Sequence, residues 1–163
     1  MSKVVLLAIN AKYVHSSLSV WVIAEGVRRY AQFPHDVSIV EATINQSCSD
    51  IAKRVAELEP DVVGISSYIW SAEMLPDLLT LLRERMPGLT IVLGGPEASN
   101  DRAFWLKTEA DYVLEGEGEY VFPQFLDEFG TQQNRPPVFR SPCLVAKASK
   151  NFGKTYSPSP INT

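Results

Sequence analysis

Four side chains with chemical handles fall within five positions of this sequence: Ser66, Ser67, Tyr68 and Trp70. They follow Asp61-Val62-Val63-Gly64-Ile65, whose apolar residues show no polar alternation. Such a run reads as a central strand covered on both faces of a parallel sheet. In open α/β sheets ligands bind outside the carboxyl ends of the strands. Two hydroxyls and two flat rings therefore stand where a ligand would be received, although the aromatics can also be plain core. A second candidate is Gly94-Gly95-Pro96-Glu97, after the apolar run Thr90-Ile91-Val92-Leu93. Residues without a Cβ let a backbone approach a ligand closely. The same pair also makes an ordinary strand-to-helix turn, and the two readings weigh evenly. The third candidate, Gly116-Glu117-Gly118-Glu119, offers backbone N–H groups for an anion nest. Its carboxylates argue against phosphate, so Glu117 or Glu119 is expected to cap the next helix or touch a neighbouring domain. The fourth, Asn10-Ala11-Lys12-Tyr13-Val14-His15, holds Lys12, a partner for an anionic ligand group or simply a solvated cation.

Enzymatic constellations are incomplete in these loops. His15 neighbours Ser16 and Ser17, but no nucleophile elbow surrounds them; a hydrogen-bonding or solvent role is expected. His35, after Pro34, is expected in a turn. Cys48 and Cys143 lie far apart in no spaced motif, so neither a disulfide framework nor a cysteine metal cluster has a basis. The loop after the first strand has no glycine and no dinucleotide fingerprint. A flavodoxin-type phosphate loop has only Ser16, Ser17 and Ser19 to draw on. A receiver domain's aspartate position holds Ser66 and Ser67, and there is no Walker loop.

The elements that must position these residues follow from periodicity. The chain has 163 residues, 45% apolar and 21% charged, which suits one globular domain with a real core. A net charge of −4 and no strongly basic segment argue against nucleic acid or an anionic membrane as main partner. Val4 to Ile9 is too short to span a bilayer, and no small-residue cleavage site follows it. A cytoplasmic location is the default expectation.

Val4–Ile9, Asp36–Glu41, Val62–Ile65, Thr90–Leu93 and Asp111–Leu114 read as strands. Helices are expected between them. The first begins at Ser16 or Ser17 as cap, turns Leu18, Trp21, Val22, Val27 and Tyr30 to a core, and ends before Pro34. The second has Ser47 and Asp50 in capping-box spacing, with Ile51, Val55 and Leu58 on one stripe up to Pro60. The third is capped by Ser71, carries Leu75, Leu78, Leu79, Leu82 and Met86, and ends at Pro87-Gly88. A short helix passes through Phe104 and Trp105. The last covers Tyr120–Phe129, with Gly130 as its C′ residue. Five strands alternating with helices predict an α/β, three-layer, doubly wound parallel sheet, Rossmann-like, in the flavodoxin-like order 2-1-3-4-5. The loops after Ile9 and Ile65 would then face each other at the switch point. Residues 1–130 form this domain. From 131 to 163 the composition, with Gln132-Gln133-Asn134-Arg135-Pro136-Pro137 and Ser157-Pro158-Ser159-Pro160, is that of a linker or tail leading to a further domain.

Together, Asn10-Ala11-Lys12-Tyr13-Val14-His15-Ser16-Ser17-Leu18, Gly64-Ile65-Ser66-Ser67-Tyr68-Ile69-Trp70, Gly94-Gly95-Pro96-Glu97 and Gly116-Glu117-Gly118-Glu119 resemble one family. It is the amino-terminal cobalamin-binding domain of cobalamin-dependent radical S-adenosylmethionine proteins, which include methyltransferases and oxidative-cyclase-like enzymes. The resemblance covers residues 3 to about 130. It implies cobalamin on the carboxyl edge, its nucleotide tail entering between the first and third strands. Ser67-Tyr68-Ile69 and Gly94-Gly95 match the Ser-x-Leu and Gly-Gly motifs of the tail pocket, with Ile69 for leucine. By the same resemblance Ser66, Ser67, Tyr68, Trp70, Gly94, Gly95, Pro96, Glu97 and Gly116 are cofactor-binding, and Asn10, Lys12 and Tyr13 lie under or beside the corrin. The cobalt-ligating motif Asp-x-His-x-x-Gly is replaced: Lys12 holds the histidine position and His15 the glycine position. No histidine ligand from this loop is expected.

The radical domain's Cys-x-x-x-Cys-x-x-Cys, which holds a four-iron four-sulfur cluster through thiolates, is missing from the chain. Catalysis by S-adenosylmethionine would belong to a longer parent, and this chain alone is not expected to be an enzyme. The expected function is a cobalamin-binding module whose partners are a corrinoid and the parent's radical domain. The alternative is a cofactor-free α/β domain that docks on a catalytic domain or partner through its aromatic edge.

Overall fold

The structure, a computed structural model, describes residues 2–11 and 17–131. Five strands form one sheet: β1 (Ser2–Asn10), β2 (His35–Thr43), β3 (Val62–Ser66), β4 (Thr90–Gly94) and β5 (Tyr112–Val113). Their order is β2-β1-β3-β4-β5 and all pairs are parallel, as the alternation of strands and helices predicts. The helices are α1 (Leu18–Tyr30), α2 (Cys48–Glu57), α3 (Leu75–Arg85), α4 (Pro96–Asn100), α5 (Arg102–Trp105) and α6 (Gly118–Thr131).

Period-two alternation sorts the strand residues between two faces. Val5, Leu7, Ile9, Val63, Ile65, Ile91 and Leu93 pack with α2, α3 and Trp105 of α5. Val4, Leu6, Ala8, Val62 and Val92 pack with α1 and α6. The result is the expected three layers. Ser47 caps α2 by accepting from the Asp50 N–H at 3.1 Å. Beyond α3, Arg83 ties the far edge together: its guanidinium reaches the Asp111 carboxylate at 2.7 Å, which also accepts from Ile91 N–H at 2.8 Å.

Several local expectations change. Leu18, Trp21, Val22 and Tyr30 of α1 are exposed, and only Val27 of the expected stripe is buried. The inward face is instead Val20, Gly26 and Val27, with Ile23 and Ala24 beside them. Gly26 decides this: a Cβ there would collide with the Glu119 carbonyl, so the two helices touch backbone to backbone at that point. Pro123, inside α6, has no N–H to give the Glu119 carbonyl four residues back. That carbonyl is the one that faces Gly26.

Ser17 is the N-cap residue of α1, but its hydroxyl makes no cap bond. The helix ends at Tyr30, before Pro34 is reached. Leu58 follows the end of α2 and is exposed. Ser71 does not cap α3. Its hydroxyl closes a turn by donating to the Tyr68 carbonyl at 3.1 Å, and Met74 is the N-cap. Gly130 is not a C′ residue, since α6 runs to Thr131. His35 opens β2 with a buried ring 3.3 Å from Asp127 of α6. Asp127 also accepts from the Gln32 and Phe33 N–H groups at 2.7 and 3.1 Å, fixing the turn after α1. Except for Thr131, the expected linker lies outside the described residues.

Two measurements test the α1 layer. Gly26→Ala should destabilise the fold by about 1–3 kcal/mol in urea unfolding, the usual cost of forced overpacking. Glu25 offers a pH readout: the Arg28 side chain, then Arg29, hold its carboxyl down from 4.5 to about 2. A depressed carboxylate pKa adds stability above its ordinary value, and that stability is lost as pH falls through about 2. The pairs lie at the surface, so salt screens them. Glu25→Gln should lower the melting temperature slightly at neutral pH and low salt, and progressively less in molar salt or as pH falls through about 2.

Candidate functional site

The alternation that builds the core also builds a hollow. On the α1–α6 face, β3 presents Val62, Gly64 and Ser66 in turn, and β4 presents Val92 and Gly94. Two of the positions nearest the carboxyl edge are glycines, so the sheet lacks side chains where the helices bridge it. The space left is a cavity of about 300 Å³. Its floor is Leu6, Gly64, Ser66, Val92 and Gly94, its roof Leu18, Val22 and Ile23 of α1 with Val121 and Phe122 of α6, and Tyr68, Gly95 and Gly116 lie at its rim. The walls are mostly apolar. Their hydroxyls include Ser66 and Ser19, 3.5 Å apart.

The volume of the cavity is that of a small ring system. A Cβ built on Gly94 would meet nothing nearer than the Leu114 carbonyl at 4.0 Å, so any side chain there would grow into the hollow. Gly95 is different. Its φ is +93°, a region favouring glycine, and a Cβ would stand 2.6 Å from the Ser67 carbonyl. Gly116 also has positive φ, +108°.

The expected site residues divide accordingly. Ser66, Tyr68, Gly94, Gly95 and Gly116 meet at the cavity. Ser67 does not line it. One position along an extended chain reverses the face, and Ser67 turns towards α4. Its fully buried hydroxyl donates to the Gly94 carbonyl at 2.6 Å and accepts from Ala98 N–H at 2.8 Å. Its own N–H also reaches the Gly94 carbonyl, at 2.7 Å. Ser67 is thus a clasp joining β3, β4 and α4. Trp70 stacks on Tyr68 with centroids 4.5 Å apart and planes 8° from parallel. Its indole N–H donates to the Ile9 carbonyl at 2.8 Å, so the loop after β3 does meet the end of β1 at the switch point. The cavity itself lies over β3 and β4 rather than between β1 and β3.

Asn10 ends β1, and its carbonyl accepts from Ile44 N–H at 3.0 Å. Pro96 starts α4 on the surface, and the Glu97 carbonyl accepts from the Trp105 indole at 3.1 Å; neither lines the cavity. The Glu117 carbonyl, not a carboxylate, receives the first N–H groups of α6 from Tyr120 and Val121 at 3.0 Å. Lys12, Tyr13 and His15 lie outside the described residues. Gly118, within the third candidate stretch, also lines the cavity, whereas Ser19 and Gly64 are not among the expected cofactor-binding residues, although strand parity alone puts Gly64 on the same face as Ser66.

Among the described residues no group of three His, Cys, Asp or Glu side chains could hold a metal ion. None of the described helices is long and apolar enough to cross a membrane.

An open parallel sheet with a lined hollow on its carboxyl side defines a doubly wound ligand-binding domain. The family model of the B12 binding domain matches residues 4–126, and the chain belongs to that family. The cofactor class is therefore cobalamin, as the resemblance implies. A stretch of 72 residues, 43% of this chain, is 33% identical to 2-(S-pantetheinyl)-carbapenam-3-carboxylate methyltransferase of Streptantibioticus cattleyicolor, covering 11% of it. A stretch of 71 residues, 42% of the chain, is 31% identical to the cobalamin-dependent radical SAM methyltransferase TokK of Streptomyces tokunonensis, covering 10% of it. The chain thus spans about a tenth of the length of these curated relatives. The structure of the cobalamin-dependent S-adenosylmethionine radical enzyme OxsB with aqua-cobalamin bound shares the fold. Its TM-score is 0.68 at 14% identity, over 82% of this chain and 19% of OxsB.

The clasp and the hollow separate by mutation. Ser67→Ala should cost about 1–3 kcal/mol of stability in urea unfolding, because it strands the buried Ala98 N–H, while the Gly94 carbonyl keeps the Ser67 N–H. Ser66→Ala, whose hydroxyl faces open space, should unfold at nearly the wild-type midpoint.

Proposed function

We propose that this chain is the cobalamin-holding module of a longer radical S-adenosylmethionine protein, of methyltransferase or oxidative-cyclase type. The carrying observation is the hollow over β3 and β4, floored by Gly64 and Gly94, on the edge where this family seats its cofactor. The nucleotide tail enters that hollow. Ser66 offers it a hydroxyl, Tyr68 and Gly116 line its entrance, and Gly94 and Gly95 leave room for it. The Tyr68–Trp70 stack, anchored on the Ile9 carbonyl, supplies a flat aromatic surface beside the corrin. Asn10, Lys12 and Tyr13 belong next to the ring by their place after β1, and Pro96 and Glu97 border the tail entrance from α4. With Lys12 in the histidine position, no ligand to the metal comes from the first loop.

When bound, the corrinoid supplies group-carrying cobalt chemistry. What this chain's own residues do is hold the tail, exclude water from it and present the ring to a partner. That partner is the parent's radical domain, which brings a four-iron four-sulfur cluster and S-adenosylmethionine. Residues 1–130 are the module and 131–163 the connection. A thiolate-held cluster suits a reducing cytoplasm.

A second reading rests on the surface. Leu18 is 74% exposed, Ile69 78% and Trp70 45%, all near the carboxyl edge. Apolar side chains grouped there suit a protein partner, so a cofactor-free docking domain is the competing function.

An absorbance titration with hydroxocobalamin, with co-elution on gel filtration, decides between the two. Saturable binding with a spectrum lacking histidine ligation is expected. Gly94→Val should abolish binding with the melting temperature unchanged within a few degrees, because its Cβ meets nothing nearer than 4.0 Å and its methyls reach into the hollow. No saturable change in the wild type, or equal binding by Gly94→Val, overturns the cofactor reading.

A further inference from the structure

A single ring marks the inner end of the hollow. Leu6, Gly64 and Val92 are partners in register across β1, β3 and β4. Two residues nearer the carboxyl edge, the corresponding row ends in Ser66 and Gly94. The hollow lies over these two rows. In the next row towards the amino edge, Val4 and Val62 are buried core and do not line it. Phe122 of α6, only 4% exposed, stands at that boundary. A Cβ built on Gly64 would meet the tip of its ring, Cζ, at 3.0 Å. The ring therefore spans the gap from the helix layer to the sheet. It closes the end opposite the rim of Tyr68, Gly95 and Gly116.

This wall is backed. Positions 122, 125 and 129 recur at helical spacing, so their side chains share one side of α6. The Phe122 and Phe125 rings stack with centroids 6.2 Å apart and planes 21° from parallel. Phe125 stacks in the same way on Phe129, at 6.0 Å and 22°. Phe125 also meets Tyr112 of β5 edge to face at 5.0 Å. A close-packed interior has no spare room, so Phe122 cannot withdraw without moving the ring behind it.

We propose that Phe122 is a specificity-determining residue, a fixed stop that limits the length of the ring system the hollow accepts. This rests on the reading that the hollow takes a corrinoid's nucleotide tail. A tail base with a further fused ring has to push against a backed aromatic, and overpacking a filled core is costly. A shorter or more flexible side chain at this position lengthens the hollow towards the amino edge and admits the larger base.

The test compares two corrinoids by absorbance titration and competitive gel filtration. One is hydroxocobalamin, with its dimethylbenzimidazole tail. The other is the hydroxocobamide with a naphthimidazole tail, which carries a third fused ring in place of the two methyl groups. The wild type should prefer hydroxocobalamin by roughly tenfold, the worth of about one methylene in an apolar pocket. Phe122→Leu should remove most of that preference. Phe122→Met keeps an apolar filling on a flexible stem; it should relax the preference too, and it serves where the leucine variant fails to fold. Leu126→Val, in the same core but not lining the hollow, should lower the urea midpoint and leave the preference intact. If the Phe122 variants weaken both corrinoids equally, or Leu126→Val shifts the preference as much as they do, Phe122 is only structural and the inference is overturned. Equal binding of both corrinoids by the wild type also overturns it, while the tail-pocket reading stands. A wild type that binds neither corrinoid overturns the tail-pocket reading itself, and this inference with it.

Discussion

One hydroxyl holds the carboxyl ends of β3 and β4 in place. Ser67 donates to the Gly94 carbonyl and accepts from the Ala98 N–H, and both bonds lie in a fully buried position. The last bond between the two strands runs from the Ser67 N–H to the Gly94 carbonyl, and beyond it the buried Ala98 N–H needs a partner from a side chain. The clasp supplies it and brings the Gly94–Gly95 turn against the Ser67 carbonyl so tightly that only glycine fits at Gly95. With the turn fixed, Gly94 faces the helices with no side chain, and the hollow exists. Fold and site share this single residue.

The roof obeys a constraint of its own. A cavity under two helices stays open only if something holds the helices at a set distance. Here that is the backbone contact of Gly26 with Glu119, while Gly118 sits where a Cβ would meet Ile23 at 2.9 Å. The closest approach of α1 and α6 thus lies below the hollow. Leu18 and Val22, one turn apart near the carboxyl edge, wall the opening instead of filling the core.

The architecture was legible because parallel strands buried on both faces are continuous apolar runs, and the stretches between them carry helical periodicity. The site was legible to its neighbourhood: glycine pairs, hydroxyls and aromatics at strand ends belong to no plain core pattern. What failed is instructive. Helical periodicity shows that Leu18, Trp21, Val22 and Tyr30 are apolar, but not that Gly26 is what turns inward; a glycine carries no hydrophobic signal yet sets the helix rotation. Ser66 and Ser67 are the same residue type, and a motif match does not tell which one faces the hollow. Strand parity does, because Ser66 stands two residues beyond Gly64.

Pro123 gives the molecule a further property. A proline within a helix gives no N–H to the carbonyl four residues back, and here that carbonyl lies where a Cβ on Gly26 would have to stand. The two roof helices are therefore keyed at one point by a missing side chain. The width of the roof is set as a keyway sets a shaft, by the material that is not there.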